Sequence, residues 1–546
     1  MPSVHHDLTG RIVDVHAERI YPANLTIRDG KITAIQELAA DQIPKGPFLM
    51  PGFIDAHVHI ESSLLVPSEF ARLAVQHGTV GTISDPHEIA NVCGMQGVDF
   101  MIDNGKHVPF HFHFGAPSCV PATIFETAGA TISVEEVKVL LARPEINYLS
   151  EMMNFPGVLQ HEEEVMQKIA AAKAAGKPID GHAPGLRGAA AQQYIDTGIH
   201  TDHECFTLAE AKDKLDRGMK ILIREGSAAK NFEALIELLR DHPDRIMFCS
   251  DDKHPDSLLE GHINQLCARA IAKGMPLFHV LRAACVNPVE HYSMRVGQLR
   301  VGDAADLIAV SDLQAFHVLQ TYIAGELVFD KGLTQISSVV VPPINQFQPT
   351  QLRATDLSVS VSQPIGKHPV IGALDGQLIT ERIEEIPTLQ NDRWVSDTDR
   401  DILKIVVVNR YRAAPPAIAF IKNFGLKTGA LASSVAHDSH NVVAVGCDDQ
   451  SICNAVNAVM EAKGGLSAVD STHTHLLPLP VAGLMSAADG FWVAEQYTQL
   501  DRFVKTALGS GLKAPFMTLS FMALLVIPHV KLSDKGLFDG DRFEFF

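Results

Sequence analysis

Pro51-Gly52-Phe53-Ile54-Asp55-Ala56-His57-Val58-His59, followed by Glu61-Ser62-Ser63, decides how this chain is read. Alternate positions of a strand face the same way, so His57 and His59 can hold one metal ion between them. A lone His-x-His pair arises by chance in a chain with 26 histidines, and it gains meaning from the residues downstream. With the opening run 53–59, seven further short apolar runs appear at 79–84, 110–115, 146–151, 178–182, 200–203, 219–224 and 246–251, each leading into a loop containing glycine or proline. Helical stretches such as 67–77, 162–175 and 232–240 separate them. Strand, loop and helix repeated in this way predict an α/β chain built on a TIM-like (β/α)8 barrel. In that fold the active site gathers at the C-terminal ends of the strands, where Glu151, His182, His203 and Asp251 fall.

Two imidazoles from the first run, a carboxylate from the fourth, one imidazole each from the fifth and sixth and an aspartate from the eighth make a two-metal site: His57, His59, Glu151, His182, His203 and Asp251. Imidazole suits borderline transition metals, a carboxylate can bridge two of them, and the last aspartate can bind metal while taking a proton from water. Zinc, manganese and iron are all compatible. Each residue also has a plainer reading. His182, in Asp180-Gly181-His182-Ala183-Pro184-Gly185, can bond across a turn. His203 competes with His200 and is preferred because it lies nearer the end of its run. Asp251 and Asp252 can cap a helix. Glu151 closes the run Tyr148-Leu149-Ser150, where an acid is costly to bury unless it is paired or metal-bound.

At 546 residues the chain exceeds one ordinary domain, and its 46% hydrophobic content is ample for large cores. Residues 1–50 and 293–340 read as short strands, with a turn at Asp29-Gly30, that join as one small β domain. Residues 51–292 form the barrel, and 346–546 a C-terminal α+β domain beyond a linker at Val341-Pro342-Pro343-Ile344-Asn345-Gln346. There is no run of 18 apolar residues and no basic-then-apolar start, so neither a membrane span nor secretion is expected. Eight cysteines without close pairing point to reduced thiols in the cytoplasm. A formal charge of -19 argues against binding a nucleic-acid backbone. His59-Ile60-Glu61 matches half of the zinc cytidine-deaminase signature, but no Pro-Cys-x-x-Cys accompanies it.

The opening stretch, together with Gly297-Gln298-Leu299-Arg300-Val301-Gly302-Asp303-Ala304-Ala305-Asp306-Leu307, resembles the two signatures of the amidohydrolase superfamily. Ser84-Asp85-Pro86-His87-Glu88, Ser150-Glu151-Met152-Met153-Asn154, Asp180-Gly181-His182-Ala183-Pro184 and Val435-Ala436-His437-Asp438-Ser439-His440-Asn441 narrow the resemblance to the bacterial adenine deaminases over essentially the full length. Many dinuclear relatives bridge their metals with a carbamylated lysine. Here the fourth run offers Glu151 instead, which weakens a dihydroorotase or hydantoinase reading.

The resemblance implies two divalent ions per chain, manganese foremost with iron or zinc as alternatives, and a homo-oligomer that takes free adenine in purine salvage. It implies hydrolytic deamination at C6, with Asp251 accepting a proton from the attacking water and Glu88 as the acid near N1. Asp85 and His87 stand beside Glu88, and Ser62, Asp252 and His437 are candidate contacts to the base. Asp85-Pro86 is also an ordinary turn whose acids cap the next helix. Two other readings stay open: deacetylation of an N-acyl sugar phosphate, with Arg187 and Arg224 as phosphate-binding cations, and a non-enzymatic scaffold.

Overall fold

The chain opens with three antiparallel strands, β1 (His5–Asp14), β2 (Arg19–Arg28) and β3 (Lys31–Glu37), and β4 (Phe48–Pro51) joins them by pairing in parallel with β1. Asp29 and Gly30 turn β2 into β3 with φ of 48° and 77°, the double positive φ that matches the twist of a tight hairpin. The computed structural model describes residues 5–39, 46–360 and 366–546; residues 1–4, 40–45 and 361–365, parts of the predicted 1–50 and 346–546 units, lie outside the described residues.

All eight apolar runs form parallel strands. They are β5 (Phe53–Val58), β6 (Thr79–Ser84), β7 (His111–Ala116), β8 (Ile146–Met152), β9 (Ile179–Gly181), β10 (Thr201–Asp202), β11 (Lys220–Arg224) and β12 (Ile246–Cys249). β5 to β9 make one curled parallel sheet and β10 to β12 a second. On one side the two sheets meet where Gly181 N donates to Thr201 Oγ1 (3.2 Å) and Ala183 N to Asp202 Oδ1 (3.1 Å). On the other, Val58 bridges Asp251 in parallel, and Asp251 N donates to His57 O (2.9 Å). Gly115 on β7 is required by close approach: a Cβ there would lie 2.3 Å from Ser150 Oγ and 2.7 Å from Tyr148 Cζ.

After these strands come β13 (Leu307–Val310), β14 (Val318–Ile323), β15 (Glu326–Asp330) and β16 (Leu333–Thr334). β13 pairs antiparallel with β4, so strands from before and after the parallel sheets share one sheet in the order β16-β15-β14-β13-β4-β1-β2-β3. The helix expected at 67–77 runs as Pro67–Ala74 with a 3-10 turn Val75–His77, ended by Gly78 at φ 76°. The one expected at 162–175 spans Glu163–Ala174. That expected at 232–240 is two pieces, Phe232–Leu235 and Leu238–Asp241, because Leu239 N turns back to Ile236 O.

The C-terminal region centres on an eight-stranded sheet that includes Leu403–Val408, Ala417–Lys422, Ala430–Ser433 and Val442–Gly446. Its strands obey the period of two. Val406, Val408, Ala432 and Ala444 pack on the helix Asp449–Ala462, while Ile405, Val407, Leu431 and Val443 join an apolar cluster continuous with the core around β5 to β12. Hydrogen bonds fasten this region over the C-terminal ends of the parallel strands: Ser486 N to Leu64 O (2.8 Å), Gly490 N to Glu69 Oε2 (2.9 Å) and Asn441 Nδ2 to Thr127 O (2.9 Å). Among the described residues no helix is long and apolar enough to cross a membrane, and the eight cysteines are unpaired.

Candidate active site

His57 lies on β5, and His59, one residue past its end, stays in register because its backbone N donates to Asp251 O (3.3 Å). The two Nε2 atoms face each other at 3.2 Å. His59 Nδ1–H donates to the Asp85 carbonyl (3.3 Å), which leaves its Nε2 with the lone pair. Asp251 is held in the left-handed backbone region (φ 55°), an arrangement that costs a non-glycine about 1–3 kcal/mol and is concentrated at functional positions.

Glu151, at the end of β8, is the hub. Its Oε1 is 3.3 Å from His59 Nε2 and 3.7 Å from His87 Nδ1; its Oε2 is 2.7 Å from His182 Nδ1 and 3.2 Å from His203 Nε2. Asp251 Oδ1 lies 3.7 Å from His57 Nε2 and 3.3 Å from His59 Nε2. His57, His59, Glu151, His182, His203 and Asp251 thus converge, none more than 5% exposed, whereas His200 is exposed and apart. Facing imidazole nitrogens flanked by carboxylates, with His182 Nε2 and His57 Nδ1 buried and unpartnered, are a donor set suited to divalent transition metals.

A ring of charges surrounds this cluster. Arg224, at the end of β11 and fully buried, donates to both oxygens of Glu204 and to Asp251 Oδ2 (2.6 Å). Glu204 Oε1 in turn sits 3.4 Å from His203 Nε2. Ser62 Oγ donates to Asp252 Oδ1 (2.5 Å), and His437 Nε2 lies 3.2 Å from the same oxygen. Burial and then the Asp251 charge push the Asp252 carboxyl up to about 6.

The loop after β6 has both expected characters. Asp85 Oδ1 accepts from His87 N (3.1 Å), as a helix cap does, while its Oδ2 is 3.0 Å from His87 Nδ1. His87 Nε2 faces Glu88 Oε1 at 3.4 Å. Burial opposes ionisation of Glu88, but His437, His87 and His440 around it prevail and hold its carboxyl well below the usual range. Burial likewise opposes charge on His87, yet Asp85 and Glu88 hold that imidazole well above its ordinary value. Glu88 and His87 thus form a tightly coupled pair, each favouring the charged form of the other.

The cleft between these groups is also lined by Met153, Leu378, Leu524 and Asp438. The sequence assigned no role to Glu204, and it marked Asp438 and His440 only as members of the polar segment Ala436-His437-Asp438-Ser439-His440-Asn441, expected to complete the site. Glu204 had a signal, standing directly after His203; Leu378 and Leu524 had none, because only folding brings them here.

Two family models match the chain: the amidohydrolase family over residues 48–328 and the adenine deaminase C-terminal domain over 377–544. Among curated proteins, the adenine deaminase of Salinibacter ruber is 55% identical over 543 residues, covering 98% of both chains. That of Sulfurovum sp. is 54% identical over 539 residues, covering 99% of both. A solved N-acetyl-D-glucosamine-6-phosphate deacetylase from Mycobacterium smegmatis superposes on 60% of this chain and 100% of its own at a TM-score of 0.45 and 16% identity, too loose a likeness to carry an argument. With identity of this order to named relatives across both matched regions, the chain belongs to the adenine deaminase family of the amidohydrolases.

Proposed function

We propose that this chain hydrolyses adenine to hypoxanthine and ammonia in purine salvage, at the cluster centred on Glu151. The observation that carries the reading is the convergence of four imidazoles and two carboxylates in one buried cleft, in a chain whose full-length relatives are adenine deaminases. The strands β5 to β12 are taken as one closed (β/α)8 barrel over 51–292. The split sheet, 1–50 plus 293–340, is then a small domain beside it, and 346–546 a third unit. His57, His59 and Asp251 would hold one divalent ion and His182 and His203 another, with Glu151 between them; manganese, iron and zinc all suit these donors. Bound there, the metals supply water acidified enough to act as hydroxide near neutral pH.

Asp251 Oδ1 is placed to take a proton from the attacking water as its oxygen adds to C6, and Arg224, 2.6 Å from Oδ2, keeps the carboxylate turned for the task. Asp251 passes this proton to the amino group, the C6–N bond breaks, and ammonia leaves. Addition places charge on N1, and the hydrogen that N1 carries in hypoxanthine comes from the His87–Glu88 pair. As the C6–N bond breaks, the C6 hydroxyl gives up its proton to become the carbonyl and the His87–Glu88 pair regains the one it lent to N1, so one water enters, one ammonia departs and the atoms balance.

Deacetylation of a sugar phosphate loses its cations here. The Arg224 guanidinium is engaged by Glu204 and Asp251, and Arg187 is exposed and bonded to Thr207. Protein stripped by a chelator and reconstituted with manganese, iron or zinc should release ammonia from adenine, with activity levelling at two equivalents of metal per chain. No ammonia from adenine, with acetate released from an N-acetyl sugar phosphate, sinks the reading. A plateau at one equivalent removes the second metal alone.

A further inference from the structure

We propose that His440, contributed by the C-terminal region, is a positioning residue that determines which oxygen of Glu88 handles the proton during deamination; this rests on the reading of His87 and Glu88 as the acid pair. His440 is fully buried. The backbone N of Ala436 donates to its Nδ1 (3.1 Å), so Nδ1 holds a lone pair and the ring hydrogen of the neutral imidazole is on Nε2. That Nε2 lies 2.5 Å from Glu88 Oε2. The N–H therefore donates to Oε2, and a proton on that oxygen would have to compete with it for the same contact.

A proton carried by Glu88 consequently resides on Oε1, the oxygen 3.4 Å from His87 Nε2 and 3.6 Å from His437 Nδ1. The imidazole is itself held by a closed loop. His440 N donates to Ala436 O (2.7 Å) while Ala436 N donates to the His440 ring, and His440 sits in the left-handed region at φ 55°. Neither the ring nor its tautomer can change without opening that loop. Glu88 stands on the helix His87–Cys93 after β6, 352 positions earlier in the chain. Through His440 the C-terminal region thus acts on the reacting proton from behind Glu88, and a carboxyl free to rotate would present either oxygen.

The test pairs His440→Ala with His440→Gln, since the glutamine amide N–H reaches the place of Nε2 and restores donation to Oε2. His440→Ala should lower kcat on adenine by about 10-fold or more, with KM and metal content close to wild type, and His440→Gln should recover most of the lost kcat. A purely structural histidine would lower Tm in both variants and gain no turnover from an amide. His440→Ala retaining kcat within about twofold of wild type, or His440→Gln as slow as His440→Ala at full metal content and unchanged Tm, overturns the proposal. An arm independent of activity reads the 15N chemical shifts of His440 in the wild-type protein. Nε2–H with a bare Nδ1 is expected; the Nδ1–H tautomer or a doubly protonated ring also overturns it. Absence of ammonia from adenine in wild type would instead count against the function, while the tautomer still decides His440.

Discussion

At the scale of single residues, chemistry was most legible where one side chain type has few reasons to be buried. His57, His59, Glu151, His182, His203 and Asp251 were each readable at the end of an apolar run, and they come together. Arg224 was visible only as a cation available to the sugar-phosphate alternative, because whether a cation is already paired depends on a partner 20 residues away, Glu204. Asp251→Asn should leave a folded protein with turnover lowered about 100-fold or more, since the amide cannot accept the proton. Glu151→Gln should instead lower metal content, and full occupancy in that variant would show that Glu151 is not shared between ions. Glu126 offers a pH test. Burial, followed by the charge of Asp438, pushes its carboxyl up to about 8 from an ordinary 4.5. Through that window the folded protein holds a proton that the unfolded chain has lost. The stability from this group is thus complete below about pH 4.5 and declines as pH rises towards 8. Glu126→Gln should flatten the fall in Tm between about pH 5 and pH 8, and an unchanged slope would remove the assignment.

At the scale of elements, all eight parallel strands were legible from apolar runs and lie within about two residues of their expected ends. The long C-terminal helix Gly490–Thr506 was not, nor was Ala430–Ser433 as a strand. That strand is short and alanine-rich, without the β-branched run that marks its neighbour Val442–Gly446, and it is fixed by pairing on both sides rather than by propensity. Gly115→Ala should destabilise by about 1–3 kcal/mol, because the new methyl meets the Tyr148 ring and Ser150 Oγ; a Tm equal to wild type would mean that the ring moves aside freely. In the segment after Ser433, His437→Ala should lower kcat/KM on adenine by about 10-fold, or about 1.4 kcal/mol, through loss of its contact with Asp252 at unchanged metal content.

At the scale of the whole molecule, the apolar cluster runs without a break from the parallel strands into the inner face of the C-terminal sheet. A chain ending at Val340 would expose Leu64, Leu65 and their neighbours, and should be recovered aggregated and inactive; a soluble, active barrel would show the remainder to be dispensable. Adenine should be turned over far better than adenosine, because the cleft is lined closely by Met153, Leu378 and Leu524; comparable kcat/KM values would contradict this. The sheet shared by β1–β4 and β13–β16 has a further consequence, for synthesis. β4 ends at residue 51 and its partner β13 begins at 307. At ordinary translation rates the apolar edge of Phe48-Leu49-Met50 waits on the order of 10–50 s for its partner strand to emerge. Over that interval the nascent chain displays an open strand edge, the kind of surface on which one unfinished chain can pair with another.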